Sequence, residues 1–149
     1  MEILKAIFED LAEILDLQKL AYLSEAQIHN NYSIQPLLQT LDELEKEFEK
    51  SVILKIVDDE NKKIVGSVRA YEENDRVFIG KLIVHPDYQN KGYGTKLLNA
   101  IEAAFQDKTF ELFTSSKSEK NLWIYRKNGY KEFKKLTTPD GIELVFLEK

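Results

Sequence analysis

The sequence predicts an α+β (mixed α/β) domain, and three observations predict it. Three segments rich in β-branched residues follow one another in mid-chain, separated by acidic, asparagine-containing turns. Helix-period segments flank that run on both sides. Two further strand-like stretches surround Thr138-Pro139-Asp140-Gly141 and close the order as a hairpin.

Element by element, Glu2 to Phe8 reads as a short opening strand. Asp10 followed by Glu13 resembles a capping box, and Leu11, Ile14, Leu15, Ala21 and Tyr22 extend a helix to about Gln27. His29 to Pro36 is polar and interrupted, hence a loop. Thr40 with Glu43 forms a second capping box, and Leu41, Leu44 and Phe48 follow at helical spacing as far as about Lys50. Ser51 to Val57, Ile64 to Ala70 and Val77 to Val84 are the three mid-chain strands. Two hairpins in succession imply antiparallel pairing. Leu97, Leu98, Ile101, Ala104 and Phe105 mark an amphipathic helix, and Phe110 to Thr114 a short strand. Ser116 with Glu119 opens a capped helix that stops at Gly129, with Arg126 and Lys127 in its last turn, where the helix dipole favours cations. Tyr130 to Leu136 and Ile142 to Leu147 form the closing hairpin. The order is β-α-α-β-β-β-α-β-α-β-β.

Composition narrows the function. With 149 residues, 43% hydrophobic and 32% charged, the chain can build a globular core. No repeat or Pro/Gly/Ser-rich linker divides it, so one domain over residues 1–149 is expected. The absence of cysteine excludes disulfides, thiolate metal sites and a cysteinyl acyl-enzyme. His29 and His85 lack ligand spacing, so no metal is expected. A net charge of −5 argues weakly against nucleic acid, and no basic helix speaks for it. No apolar run approaches the ~18 residues of a membrane span. The first residues are acidic and lack a small-residue cleavage site, so a cytoplasmic location is expected.

The most informative segment is Leu82 to Leu98, LIVHPDYQNKGYGTKLL. A hydrophobic strand runs into a turn of Gln89, Asn90, Lys91, Gly92, Tyr93 and Gly94, and a helix starts at once. Such a turn presents bare backbone N–H groups at a helix N-terminus, where an anion such as a pyrophosphate is favoured. Glycine removes the Cβ that would hold a ligand off the backbone. Lys91 and Lys96 add cations nearby. The rival phosphate motifs fail: Gly94-Thr95-Lys96 has the wrong order for a Walker loop, and Leu97 stands where a dinucleotide fingerprint needs its third glycine.

Gln89-x-x-Gly92-x-Gly94 after a Val-His-Pro strand end resembles the acetyl-CoA-binding motif of the GCN5-related N-acetyltransferase (GNAT) superfamily. The resemblance implies the GNAT fold, a central, mostly antiparallel twisted sheet of six to seven strands flanked by four helices. It also implies that backbone groups of Leu82, Ile83 and Val84 pair with the pantetheine arm of acetyl-CoA. Residues Gln89 to Thr95, with Lys96, would then cradle the pyrophosphate. Each neutral hydrogen bond contributes only about 0.5–1.5 kcal/mol net, but several together hold a long cofactor.

Asn121 and Tyr125 are four apart and share a helix face. With Gly129-Tyr130 they resemble the family's second cofactor motif, which implies that Asn121 contacts the cofactor arm and Tyr125 points its hydroxyl at the thioester sulfur. A phenol of pKa about 10 is protonated at neutral pH and can donate to a departing thiolate. A backbone amide, from Val84, is expected to stabilise the developing oxyanion. Trp123 and Tyr130 read as core aromatics.

The acceptor is expected to be a small-molecule or peptide amine. Glu25, Glu72, Glu73, Asp75 and His85 read first as surface or turn residues, and no general base is assigned. Family resemblance implies that the segment Tyr22 to Leu38 borders the acceptor, and it makes a homodimer one of the expected assemblies. Two other readings are a cofactor-binding regulatory domain without transfer activity and a user of a longer acyl-CoA. The phenol of Tyr125 favours the enzyme over the sensor.

Overall fold

The computed structural model describes Met1–Lys149. Its strands assemble into one seven-stranded sheet. They are β1 (Ile3–Lys5), β2 (Val52–Val57), β3 (Ile64–Glu73), β4 (Arg76–Val84), β5 (Thr109–Ser115), β6 (Lys131–Thr137) and β7 (Glu143–Glu148). The sheet order is β1-β2-β3-β4-β5-β7-β6. Every neighbouring pair is antiparallel except β4 and β5, which run parallel. β3 is an interior strand, and Ile64 to Ala70 are buried on both faces, so its side chains do not divide into wet and dry sets. β6 is an exposed edge strand carrying Lys131, Lys134 and Lys135, charges that discourage further strand addition.

The helices are α1 (Leu11–Ala21), α2 (Leu23–His29), α3 (Gln35–Leu38), α4 (Leu41–Lys50), α5 (Tyr93–Ala103) and α6 (Glu119–Lys127). None is long and apolar enough to cross a membrane. The expected first helix is broken at Tyr22, and the Ser24 hydroxyl beyond the break donates to the Ala21 carbonyl (3.3 Å). The opening strand is shorter than expected, and a 3-10 turn over Phe8–Asp10 follows it. Asp10 and Glu13 do not cap α1. Asp10 accepts from the Ile7 amide and Lys55, and Glu13 accepts from the Ile64 amide at 2.7 Å. The Thr40–Glu43 box forms as read, with both reciprocal bonds present. The last part of the expected loop holds the single turn α3. Helix α6 follows Ser118 rather than Ser116, and no side chain caps it.

Helices cover both faces of the sheet. α5 and α6 pack on one face around Leu97, Leu98, Ile101, Leu122 and Tyr125. α1 and α4 pack on the other around Leu11, Ile14, Leu15 and Leu44. The β4–β5 junction positions the site. These strands are bonded only where Arg76–Phe78 meet Thr109–Glu111. Beyond Phe78 they part, and the outer edge of β4 has no strand beside it.

Candidate active site

A cleft of about 580 Å³ fills the gap that β4 and β5 leave. Leu82, Ile83 and Val84 form one wall, and α6 with Ser118 forms the other. The loop from β4 to α5 closes one end. After a 3-10 turn at Pro86–Tyr88, Asn90 (φ +63°) and Gly92 (φ +84°) both adopt left-handed backbone, which reverses the chain into α5. The first bond of that helix runs from the Lys96 amide to the Gly92 carbonyl (3.1 Å). Accordingly, no protein group accepts from the amides of Asn90, Lys91, Gly92, Tyr93, Gly94 or Thr95. Asparagine and glycine at the two left-handed positions make this array of donors locally affordable. A Cβ built on Gly92 meets nothing within 4 Å, so the space before the loop is open.

Gln89 braces the loop. Its amide nitrogen donates to the Val84 carbonyl (3.2 Å), and its oxygen accepts from Lys120 of α6 (2.7 Å). Asn128 ties the far ends together, donating to Thr95 Oγ1 (3.3 Å) and to the Ile124 carbonyl (2.8 Å). The donor array and α6 therefore keep a fixed relation across the cleft.

Tyr125 lies just below the wall, 6% exposed, with its ring against Tyr130. Burial pushes its phenol well above the usual range, and the neighbouring Tyr22 and Glu25 push the same way. Tyr22 is pushed up to about 12, chiefly by burial, with Arg69 opposing and Glu25 adding to the rise. Both phenols are therefore neutral donors at physiological pH. Glu25 lines the cleft, and its Oε1 accepts from the Ser118 hydroxyl at 2.5 Å and from Asn121 Nδ2 at 3.3 Å. Asn121 also donates to Thr114 Oγ1 at 3.3 Å.

The structure thus brings Leu82, Ile83, Val84, Gln89, Asn90, Gly92, Tyr93, Gly94, Thr95 and Asn121 to one cleft, with Tyr125 behind its wall. Lys91 and Lys96 lie off the cleft wall: Lys91 stands over the Tyr88 ring, and Lys96 donates to the Met1 carbonyl (2.9 Å). Trp123 is not a core residue but 61% exposed at the cleft rim, while Tyr130 is buried and donates to Glu102. The sequence reading missed Ser118 and Lys120 as cleft residues, whereas Tyr22, at the head of the segment expected to border the acceptor, does line the cleft. Glu72, Glu73 and Asp75 sit at the opposite end of β4, where Lys108 bridges Glu72 and Asp75. His85 is a turn residue whose Nδ1 accepts from the Asp87 amide (3.1 Å).

Beneath Tyr22, buried Arg69 pairs with Glu47 (2.7 Å) and donates to Gln18 and Gln39. Lys81, at a left-handed break in the β3–β4 register, is pushed down to about 8 by burial and by the Arg69 charge.

Comparison with known proteins agrees with this geometry. A crystal structure of smu.2055 from Streptococcus mutans UA159 superposes with a TM-score of 0.83 at 17% identity, covering 100% of this chain and 98% of that one. PaiA N-acetyltransferase from Thermoplasma acidophilum, solved in complex with coenzyme A, gives 0.75 at 20% identity over 99% of this chain and 97% of that one. At these identities the likeness is one of fold, and it matches the sheet and helices described above. In sequence, UPF0039 protein C11D3.02c of Schizosaccharomyces pombe is 35% identical over 88 residues. That alignment takes in 57% of this chain and 59% of the yeast protein, so the chain matches little more than half of its relative's length. The family model described as an acetyltransferase (GNAT) domain matches residues 50–132. That stretch contains the open edge of β4, the donor loop and all of α6, and on it the chain belongs to the GNAT acetyltransferase family.

Proposed function

We propose that this protein transfers an acetyl group from acetyl-CoA to an amine by direct attack on the thioester. The observation that carries the reading is the set of uncommitted amides from Asn90 to Thr95 at one end of a cleft that has Tyr125 behind its wall. The fit to the cofactor is chemical. A diphosphate needs several converging donors and close backbone approach, and this loop offers both. The coenzyme A complex of the Thermoplasma relative supports the same choice of ligand.

Acetyl-CoA supplies an acyl carbon with a good leaving group. The protein's own residues do the rest. Loop amides bind the phosphates, and the free edge of Leu82 to Val84 offers strand-like hydrogen bonds to the pantetheine amides. Tyr125, kept protonated by its burial, donates a hydrogen bond toward the sulfur as negative charge develops there. A Val84 amide is assigned to the acyl oxygen.

Acetyl-CoA should raise the melting temperature. A ligand at one hundred times its Kd adds about 2.7 kcal/mol, roughly 5–10 °C for a chain of this size. The absence of a shift at millimolar acetyl-CoA would remove the proposal. A shift without thiol release for any amine would leave a cofactor-binding domain instead.

A further inference from the structure

We infer that Glu25 is the group that binds the acceptor, and that the acceptor enters as a protonated amine on an apolar stem. The inference rests on the transfer reading above and adds the substrate class. Ser118 and Asn121 both donate to the Glu25 Oε1, and Asn121 is itself anchored to Thr114. These bonds fix the carboxylate in the cleft wall. Its Oε2 takes no hydrogen from the protein, and no lysine or arginine bridges it. The lysines that line the cleft are committed elsewhere, Lys120 to Gln89 and Lys127 over the Trp123 ring, and buried Arg69 pairs with Glu47.

A half-buried carboxylate with one tethered oxygen and one open oxygen is a receptor for a cationic donor. Asn121, which holds Glu25, stands one helical turn from Tyr125 on α6, so the carboxylate lies on the side of the cleft where that phenol is proposed to meet the thioester sulfur. Ala21 and Ile28 lie on the same stretch of wall and suit a hydrocarbon stem. An anionic acceptor would meet Glu25 unpaired and be repelled. The pairing also restrains the nitrogen near Tyr125. The ammonium gives one proton to solvent water. The neutral amine then forms the N–C bond as the C–S bond breaks, and its second proton ends on the departing sulfur, giving the free thiol.

Glu25→Gln tests this, because the amide oxygen can still accept from Ser118 and Asn121 while the charge is gone. Initial rates are measured for a panel of alkylamines, protonated near neutral pH, and for matched anilines, neutral there. The expected result is a rise in KM for alkylamines of about tenfold to a hundredfold, with anilines little affected. Glu25→Asp should recover part of the loss, and the thermal shift given by acetyl-CoA should be the same in all three proteins. Equal losses for both amine types, an unchanged KM, or a loss of the acetyl-CoA shift in the variants would overturn the inference. A wild-type protein that binds acetyl-CoA but turns over no alkylamine would overturn it too. A wild-type protein with no acetyl-CoA shift would instead sink the transfer reading.

Discussion

Tyr125 shows how a residue's environment sets what it can do. Its burial raises the phenol above its ordinary range, so the hydroxyl is a permanent donor but a weaker acid than a free tyrosine. Full proton transfer to a thiolate is then uphill, and the useful contribution is a hydrogen bond that strengthens as the sulfur gains charge. Hydrogen bonds to charged groups contribute about 1.5–3 kcal/mol. Tyr125→Phe should therefore lower kcat by roughly tenfold to a hundredfold, with little change in the acetyl-CoA concentration needed. Thiol release at saturating cofactor is the measurement, and wild-type turnover would show that the phenol does not act at the sulfur. The spacing of Asn121 and Tyr125 was readable in the sequence, whereas the exposure of Trp123 was not. Leu122 and Tyr125 carry the buried face of α6, and Trp123 stands about 100° round the helix from Leu122. There it lies under Lys127, one turn on, rather than in the core.

At the scale of the element, the loop into α5 was legible because its chemistry is local. Glycine and asparagine permit left-handed backbone wherever they stand, and a helix start always leaves amides free. The two glycines are nonetheless unequal. Gly92 has φ +84°, so any side chain there is strained, and its Cβ would project into the open space before the loop. Gly94 has no such constraint, and an added Cβ would meet Ile124 Cδ1 at 3.6 Å, an ordinary contact. Gly92→Val should cost about 1–2 kcal/mol of stability and abolish the acetyl-CoA thermal shift. Gly94→Ala should melt within a few degrees of wild type. A Gly92→Val protein that still responds to acetyl-CoA would move the phosphates to another place. The directions of Lys91 and Lys96 were not legible. A long flexible side chain goes to whichever partner packing supplies, and for Lys96 that is the carbonyl of Met1.

Across the whole molecule, Arg69 joins the helical layer to the sheet. It sits on β3 with a side chain 5% exposed, and it holds Glu47 of α4, Gln18 of α1 and Gln39 between α3 and α4. Gln18 and Gln39 also bond each other, and Gln39 bonds Glu47. No buried side-chain polar atom lacks a partner. Removing one partner of such a network leaves the others desolvated and unpaired, at a cost of about 3–5 kcal/mol. Arg69→Met should lower the urea midpoint accordingly, and a midpoint within error of wild type would mean that water replaces the guanidinium. Periodicity and turn chemistry determined the order of the strands, the hairpins and the donor loop, because each acts among residues a few positions apart. Only the tertiary structure decided that β4 and β5 join at one end and part at the other, that Arg69 is buried, and that Glu25 meets Ser118 and Asn121. These contacts link segments tens of residues apart, and they are chosen by how two covered faces of a twisted sheet fit together, a quantity that no short stretch of sequence contains.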